Sequence, residues 1–177
     1  MIFNIDDMFL KELAALKENS SKIAIMAIGI PASGKTTFFA EIEPYNFARL
    51  STDAFYEDIS VMTGFIYDDI FEISALHSLA KKALRVNLDS QIHAGRNLYW
   101  DQTNLTKKSR SSKLALIPSE YKKIAMVFPI PQNLKTRLDS RPGKTIPQSV
   151  IYNMINSYEE PATYEGFDAI MKIEANE

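Results

Sequence analysis

The stretch Lys22-Ile23-Ala24-Ile25-Met26-Ala27-Ile28-Gly29-Ile30-Pro31-Ala32-Ser33-Gly34-Lys35-Thr36-Thr37 decides the fold. Its first half is almost wholly apolar and ends in glycine, the pattern of a strand buried on both faces, as in a parallel sheet. Its second half, Gly29 to Thr36, fits G-x-x-x-x-G-K-[ST]. Phe38, Phe39 and Ile42 follow at helical spacing. Strand, glycine-rich turn and helix in that order make a phosphate cradle. Glycine lets the backbone curl so that successive N–H groups face inward, and the helix N-terminus adds positive potential. Gly29, Ile30, Pro31, Ala32, Ser33, Gly34, Lys35, Thr36 and Thr37 are therefore the expected nucleotide-binding residues. In such a loop the lysine, here Lys35, reaches the β- and γ-phosphates, and the hydroxyl, here Thr36, coordinates Mg2+. A plain turn before a helix has no need of Lys-Thr after its last glycine.

Outward from this loop, apolar runs alternate between strand-like and helix-like spacing. Further strands are expected at 47–51, 97–101, 122–128 and 167–173. Helices are expected at 6–18, from 34 to about 42, from 68 to about 93, at 106–116, from 131 to about 138, and at 147–158. The pattern Ile70, Ile73, Leu76, Leu79, Ala80, Ala83, Leu84, Leu88, Ile92 reads as one long amphipathic helix stopped by Gly95. Alternating strands and helices predict an α/β fold with a five-stranded parallel sheet, flanked by helices on both faces. With no repeat and no Pro/Gly-rich linker, the 177 residues suit a single domain, 1–177.

At 46% hydrophobic and 24% charged residues the chain has the composition of a folded globular protein rather than a disordered one. No window approaches the ~18 uninterrupted apolar residues of a membrane span, so no membrane partner is expected. The absence of cysteine excludes disulfides, thiolate metal sites and cysteine nucleophiles. MIFNIDDMFLKEL lacks the basic-then-apolar build of a signal peptide, which makes the cytoplasm the expected compartment. The net charge of −2 is unevenly spread: residues 105–145 hold ten Lys and Arg but only two acids, Glu120 and Asp139. An anion-facing surface is the expectation, with Lys122 and Lys123 read as solvated.

Leu50-Ser51-Thr52-Asp53 ends the second strand, and ligands of open α/β sheets gather beyond the carboxyl ends of strands. Asp53 is expected to share that crevice with Lys35, where a carboxylate can take the proton of a hydroxyl attacking the γ-phosphorus. The same Ser-Thr-Asp run equally suits a helix cap. Asp101, at the end of the third strand, is placed to hold Mg2+ through water beside Thr36. Thr103 and Asn104 offer hydrogen bonds to a substrate, or else start an Asx-type turn. In residues 134–147, LKTRLDSRPGKTIP, Arg137 and Arg141 lie four apart on one helix face before Arg141-Pro142-Gly143 breaks it. Such a lid, spanning about 131–158, can close over a nucleotide, exclude water and neutralise charge on a transferring phosphoryl group. That favours a kinase over a hydrolase. A surface pairing of either arginine with Asp139 is the plainer alternative. His77 and His93 read as structural, Trp100 as strand core, and Phe65, Tyr67 and Phe71 as core packing or stacking surfaces for an acceptor base.

The segments GIPASGKTT, LSTD, YWDQTNLTKKSR and RLDSRPGKTIPQSVIYNMINSYEEP together resemble phage-type polynucleotide 5′-kinases, within the small P-loop kinases (zeta-toxin-like and AAA_33-like). The resemblance covers about residues 22–170. It implies a P-loop kinase fold with a helical arginine lid, ATP and Mg2+ as cofactors, and transfer of the γ-phosphate to the 5′-OH of DNA or RNA. Nucleic acid 5′ ends would be the substrate, in repair, in the cytoplasm or in a host's cytoplasm for a phage-encoded chain. It also implies Lys35 and Thr36 as phosphate lysine and metal hydroxyl, Asp53 as general base, Arg141 on the donor phosphates with Arg137 in support, and residues 158–168 near the adenine. One position departs. Those kinases carry, three residues after the base, an arginine that holds the acceptor's phosphate, and here Tyr56 stands there. Tyrosine can donate one hydrogen bond or stack on a base but brings no charge; Lys107, Lys108 and Arg110 could supply it. The candidate substrate contacts are thus Tyr56, Thr103, Asn104 and Arg110. A nucleoside, modified base or other small hydroxyl is the alternative acceptor, and a nucleotide-binding regulatory or toxin-like module is the reading from another class.

Overall fold

The computed structural model describes residues 22–141 and 143–174, so the helix expected at 6–18 and Pro142 of the expected lid lie outside the described residues. Strand β1 (Lys22–Ile28) shows why the sheet must be covered twice. Its side chains alternate, with Ile23, Ile25 and Ala27 entering one buried cluster and Ala24, Met26 and Ile28 another. Both clusters are closed by helices. Phe38, Phe39 and Ile42 of α1 (Lys35–Ile42) fill the first. Residues Leu84, Leu88, Ile92 and Leu114 help fill the second. Each fully buried side chain of this size contributes roughly 1.5–3 kcal/mol, so α1 is fixed against the sheet chiefly by three residues.

The remaining strands are β2 (Phe47–Leu50), β3 (Asn97–Trp100), β4 (Tyr121–Val127) and β5 (Ala169–Lys172). Their order is β2-β3-β1-β4-β5 and every pairing is parallel, as expected. From central β1 the chain runs to the β2 edge, returns to β3, and then crosses to β4 on the other side of β1. The switch point, and hence the crevice, lies at the carboxyl end of β1, where the glycine loop begins. The other helices are α2 (Thr52–Thr63), α3 (Tyr67–Phe71), α4 (Ser74–His93), α5 (Lys107–Leu114), α6 (Leu134–Asp139) and α7 (Gln148–Asn156). None of the described helices is long and apolar enough to cross a membrane.

The single helix expected from 68 to 93 is two. Glu72 ends α3, and Ile73 adopts an extended backbone before α4 starts. Tyr67 and Phe71 stack at 5.9 Å, and both rings pack edge-on against buried Tyr56. Turning α3 away from the α4 axis is what lets it cover α2. The apolar spacing runs through the break because the residues on either side serve different clusters, which periodicity does not distinguish.

Candidate active site

The loop after β1 is shaped by three residues. A Cβ on Gly29 would lie 2.8 Å from Ser33 Oγ and 3.0 Å from Phe128 Cβ, so only glycine fits. Ala32 at φ +62° and Gly34 at φ +103° then turn the chain into the left-handed region. This curls the loop around a concavity. No side chain caps α1, whose first-turn amides therefore face the concavity as unclaimed donors. Lys35 lies across the loop, its Nζ donating to the carbonyls of Gly29 at 3.0 Å and Ile30 at 2.7 Å. Burial lowers its pKa to about 8, with Asp101 and Asp53 acting upward and Arg141 downward. All three charges thus act on Lys35.

Thr36 Oγ1 donates to Asp101 Oδ2 at 2.9 Å, and Arg49 Nε reaches the same oxygen at 2.7 Å. Arg49 Nη1 also meets Glu57 Oε2 at 3.4 Å. Glu57 sits one helical turn after Asp53, and its other oxygen accepts from Lys144 Nζ at 2.5 Å. Lys144 lies 3.7 Å from Asp53 Oδ2 and 4.1 Å above the Tyr67 ring. Burial pushes the Glu57 carboxyl up, but the hydrogen bonds and charges of Lys144 and Arg49 hold it below the usual carboxylate range. Tyr67 is raised by burial and by the charge and hydrogen bond of Asp53. Ser51 caps α2, as one reading of Ser51-Thr52-Asp53 expected, and Asp53 also lines the cleft. Ser51 Oγ accepts the Asp53 N–H at 3.2 Å while the Asp53 carboxylate stays half exposed in the cleft. Gln102 steadies this end of α2, receiving the Trp100 indole N–H and donating to Thr52 Oγ1, each at 2.9 Å.

The segment that follows β4 also lines the cleft. Arg137 Nη1 reaches the Ala32 carbonyl of the phosphate loop at 3.4 Å, and Arg141 lines the same cleft. Asp139, the acid of the plainer alternative, pairs instead with Lys135 at 2.6 Å. The cleft encloses about 1420 Å³ and is lined by the loop, Lys35, Thr36, Thr37, Asp53, Asp101, Thr103, Arg137 and Arg141.

Several expected substrate contacts lie elsewhere. Tyr56 is 3% exposed, the hub of an aromatic cluster rather than a cleft residue. Asn104, 1% exposed and at φ +51°, donates to the Ala27 carbonyl at 2.6 Å and shapes the turn after β3. Arg110 is wholly buried, clamped by Glu165 through two hydrogen bonds of 2.7 and 2.8 Å and by the Leu105 and Glu159 carbonyls. Neither it nor Lys107, which donates to Tyr164, nor Lys108 lines the cleft. Residues 158–168 do not line it either; they close over Arg110. Phe65 is two-thirds exposed and outside the cleft, whereas Tyr67 and Phe71 line it. Arg49 and Glu57 were missed. The available signals were an arginine inside an otherwise buried strand and an acid four residues after Asp53 on one helix face.

A family model described as an AAA domain, AAA_33, matches residues 25–161. Among solved structures, the chain is similar to one chain of the Pnkp1/Rnl/Hen1 RNA repair complex (22% identity, TM-score 0.63, covering 77% of this chain and 44% of that one). It is similar to a putative kinase from Chloroflexus aurantiacus J-10-fl (17% identity, TM-score 0.58, covering 86% and 88%). It is also similar to a chain from the PezAT chromosomal toxin–antitoxin system of Streptococcus pneumoniae (18% identity, TM-score 0.52, covering 77% and 62%). At such identities the likeness is one of fold, and the chain spans under half the length of the first of them.

Proposed function

The chain belongs to the AAA domain family AAA_33, and we propose that it is an ATP-dependent kinase that transfers the γ-phosphate to a hydroxyl, the 5′-OH of a DNA or RNA end. The observation that carries this reading is the convergence of Lys35, Asp53, Arg137 and Arg141 on one cleft. Its donors suit a triphosphate: an uncapped helix N-terminus, a lysine and two guanidinium groups. Thr36 and Asp101 would hold Mg2+. When bound, ATP with Mg2+ would supply the phosphoryl group and offset its negative charge.

The protein's own groups do the rest. Loop amides and Lys35 orient the phosphates, Asp53 takes the proton of the attacking hydroxyl, and Arg141 with Arg137 stabilises charge and helps exclude water. A cleft of about 1420 Å³ exceeds the roughly 300–1,000 Å³ of ordinary ligand pockets, leaving room for an acceptor beside the nucleotide. The likeness to a chain of an RNA repair complex points the same way for the acceptor. A second reading, an uncharged acceptor such as a nucleoside, has its own observation. The cation beside Asp53, Lys144, is already paired with Glu57, and the same cleft is lined by Asp68, Tyr67 and Phe71.

Labelled ATP offered with 5′-hydroxyl DNA, 5′-hydroxyl RNA and free nucleosides tests both. Label on oligonucleotide ends is expected; label on monomers alone selects the second reading, and none on any hydroxyl rejects a kinase. Asp53→Ala is expected to lower kcat by roughly 10²–10⁴ with ATP binding kept; a loss under tenfold removes Asp53 as base.

A further inference from the structure

The lid is seated on the acceptor-side helices by a compact set of contacts. Asp68 N–H donates to the Gly143 carbonyl at 3.1 Å, and Asp68 Oδ2 accepts the Thr145 N–H at 2.8 Å, so the turn and the start of α3 bind each other reciprocally. Gly143, at φ +67°, lies so close to Ile66 that an added Cβ would come within 3.2 Å of its Cγ2. Between these bonds Lys144 is inserted, only 14% exposed, over the Tyr67 ring and between two acids. The nearer acid is Glu57 at 2.5 Å and the farther is Asp53 at 3.7 Å. Glu57 uses its second oxygen for Arg49, which holds Asp101, which in turn holds Thr36 at the start of α1.

We propose that Glu57 is a positioning residue: by holding Lys144 and Arg49 at once, it couples seating of the 143–145 turn to the placement of the Asp53 and Asp101 carboxylates. The reason is one of charge. Without Glu57, the nearest anion to Lys144 is Asp53, and an ammonium drawn onto that carboxylate would occupy the oxygen that must accept the acceptor's proton. Arg49 would likewise lose the second anchor that aims it at Asp101. With Glu57 in place, the lysine is neutralised beside the base rather than upon it, and the lid turn is locked only when Glu57, Tyr67 and Asp68 are in register. Glu57 touches neither phosphorus nor hydroxyl in this scheme.

This inference rests on the kinase reading for its kinetic readout but has an independent structural one. Glu57→Gln removes the charge and keeps the shape. With ATP and a 5′-hydroxyl oligonucleotide, kcat is expected to fall about tenfold with KM for ATP within twofold, in the range by which members of one network couple. Lys144→Met should cost less than Glu57→Gln, because it removes the ammonium that would cover Asp53, adding it to Glu57→Gln should recover part of the rate, and Glu57→Asp should recover part as well. Hydrogen exchange of the full chain with ATP should show the Asp68 and Thr145 amides opening about tenfold faster in Glu57→Gln. If Glu57→Gln is poorly folded, the same amides are followed in Lys144→Met, which breaks the same Lys144–Glu57 contact from the other side. If the wild-type protein labels no acceptor, the kinase reading fails while exchange still decides the latch. Unchanged exchange at both amides, a raised KM for ATP with unchanged kcat, or additive losses would overturn the proposal.

Discussion

Lys35 shows how one residue's surroundings set a measurable property. Burial in the loop brings it from the ordinary 10.5 to about 8. Its charge is therefore present below pH 8 and lost as pH rises through that value. In the free protein, kcat/KM for ATP is expected to fall on the alkaline side with a midpoint near pH 8, and Lys35→Arg should flatten that limb because a guanidinium keeps its charge. The stability sign is opposite. Between about pH 8 and 10.5 the unfolded chain holds a proton on this lysine that the folded chain has released, so this group's contribution to stability rises with pH. Lys113, also lowered to about 8 by burial, adds in the same sense but lies outside the cleft. A pH–rate profile beside thermal melts separates the two: activity falling with no melt shift toward lower temperature supports the assignment, and a parallel loss of both rejects it.

At the scale of elements, α5 illustrates how a basic helix differs from a basic surface. Its sequence, KKSRSSKL, suggests a strip of cations for an acceptor strand. In the fold, Arg110 is its inward anchor, pinning α5 to the 163–165 turn through Glu165, whose side chain is itself only 6% exposed. Breaking such a pair leaves a buried charge uncompensated, at a cost of about 3–5 kcal/mol. Arg110→Ala should lower the melting temperature strongly, while the protein that remains folded keeps its KM for acceptor. An intact melt with a raised acceptor KM would return Arg110 to the substrate. The break between α3 and α4 belongs to this scale as well. A two-residue change of direction carries Tyr67 and Asp68 into the cleft and Asp68 onto Thr145, although the apolar spacing either side is that of one helix.

For the whole molecule, the ten basic residues of 105–145 do not add up to a ten-charge face. Four of them meet carboxylates: Arg110 at Glu165, Lys122 at Asp168, Lys135 at Asp139 and Lys144 at Glu57. Of the ten, only Arg137, Arg141 and Lys144 line the cleft, and Lys144 is paired, so binding of a single-stranded end should weaken only roughly sevenfold between about 50 and 200 mM salt, the expectation for about two phosphate contacts. Titration of a labelled oligonucleotide checks this, and a loss on the order of a thousandfold would mean that the surface pairs open to grip the strand. The sequence by itself determined the parallel sheet, the phosphate loop and the presence of Lys35, Asp53, Asp101, Arg137 and Arg141 at strand ends and lid, because these signals are local: side-chain period, glycine placement and spacing along a few residues. Only the tertiary structure decided that Arg49 and Glu57 join them and that Tyr56, Asn104 and Arg110 do not. A charge or a ring has the same letter whether it meets solvent, a cleft or a partner fifty residues away, and which of these it meets depends on burial that the packed elements create together.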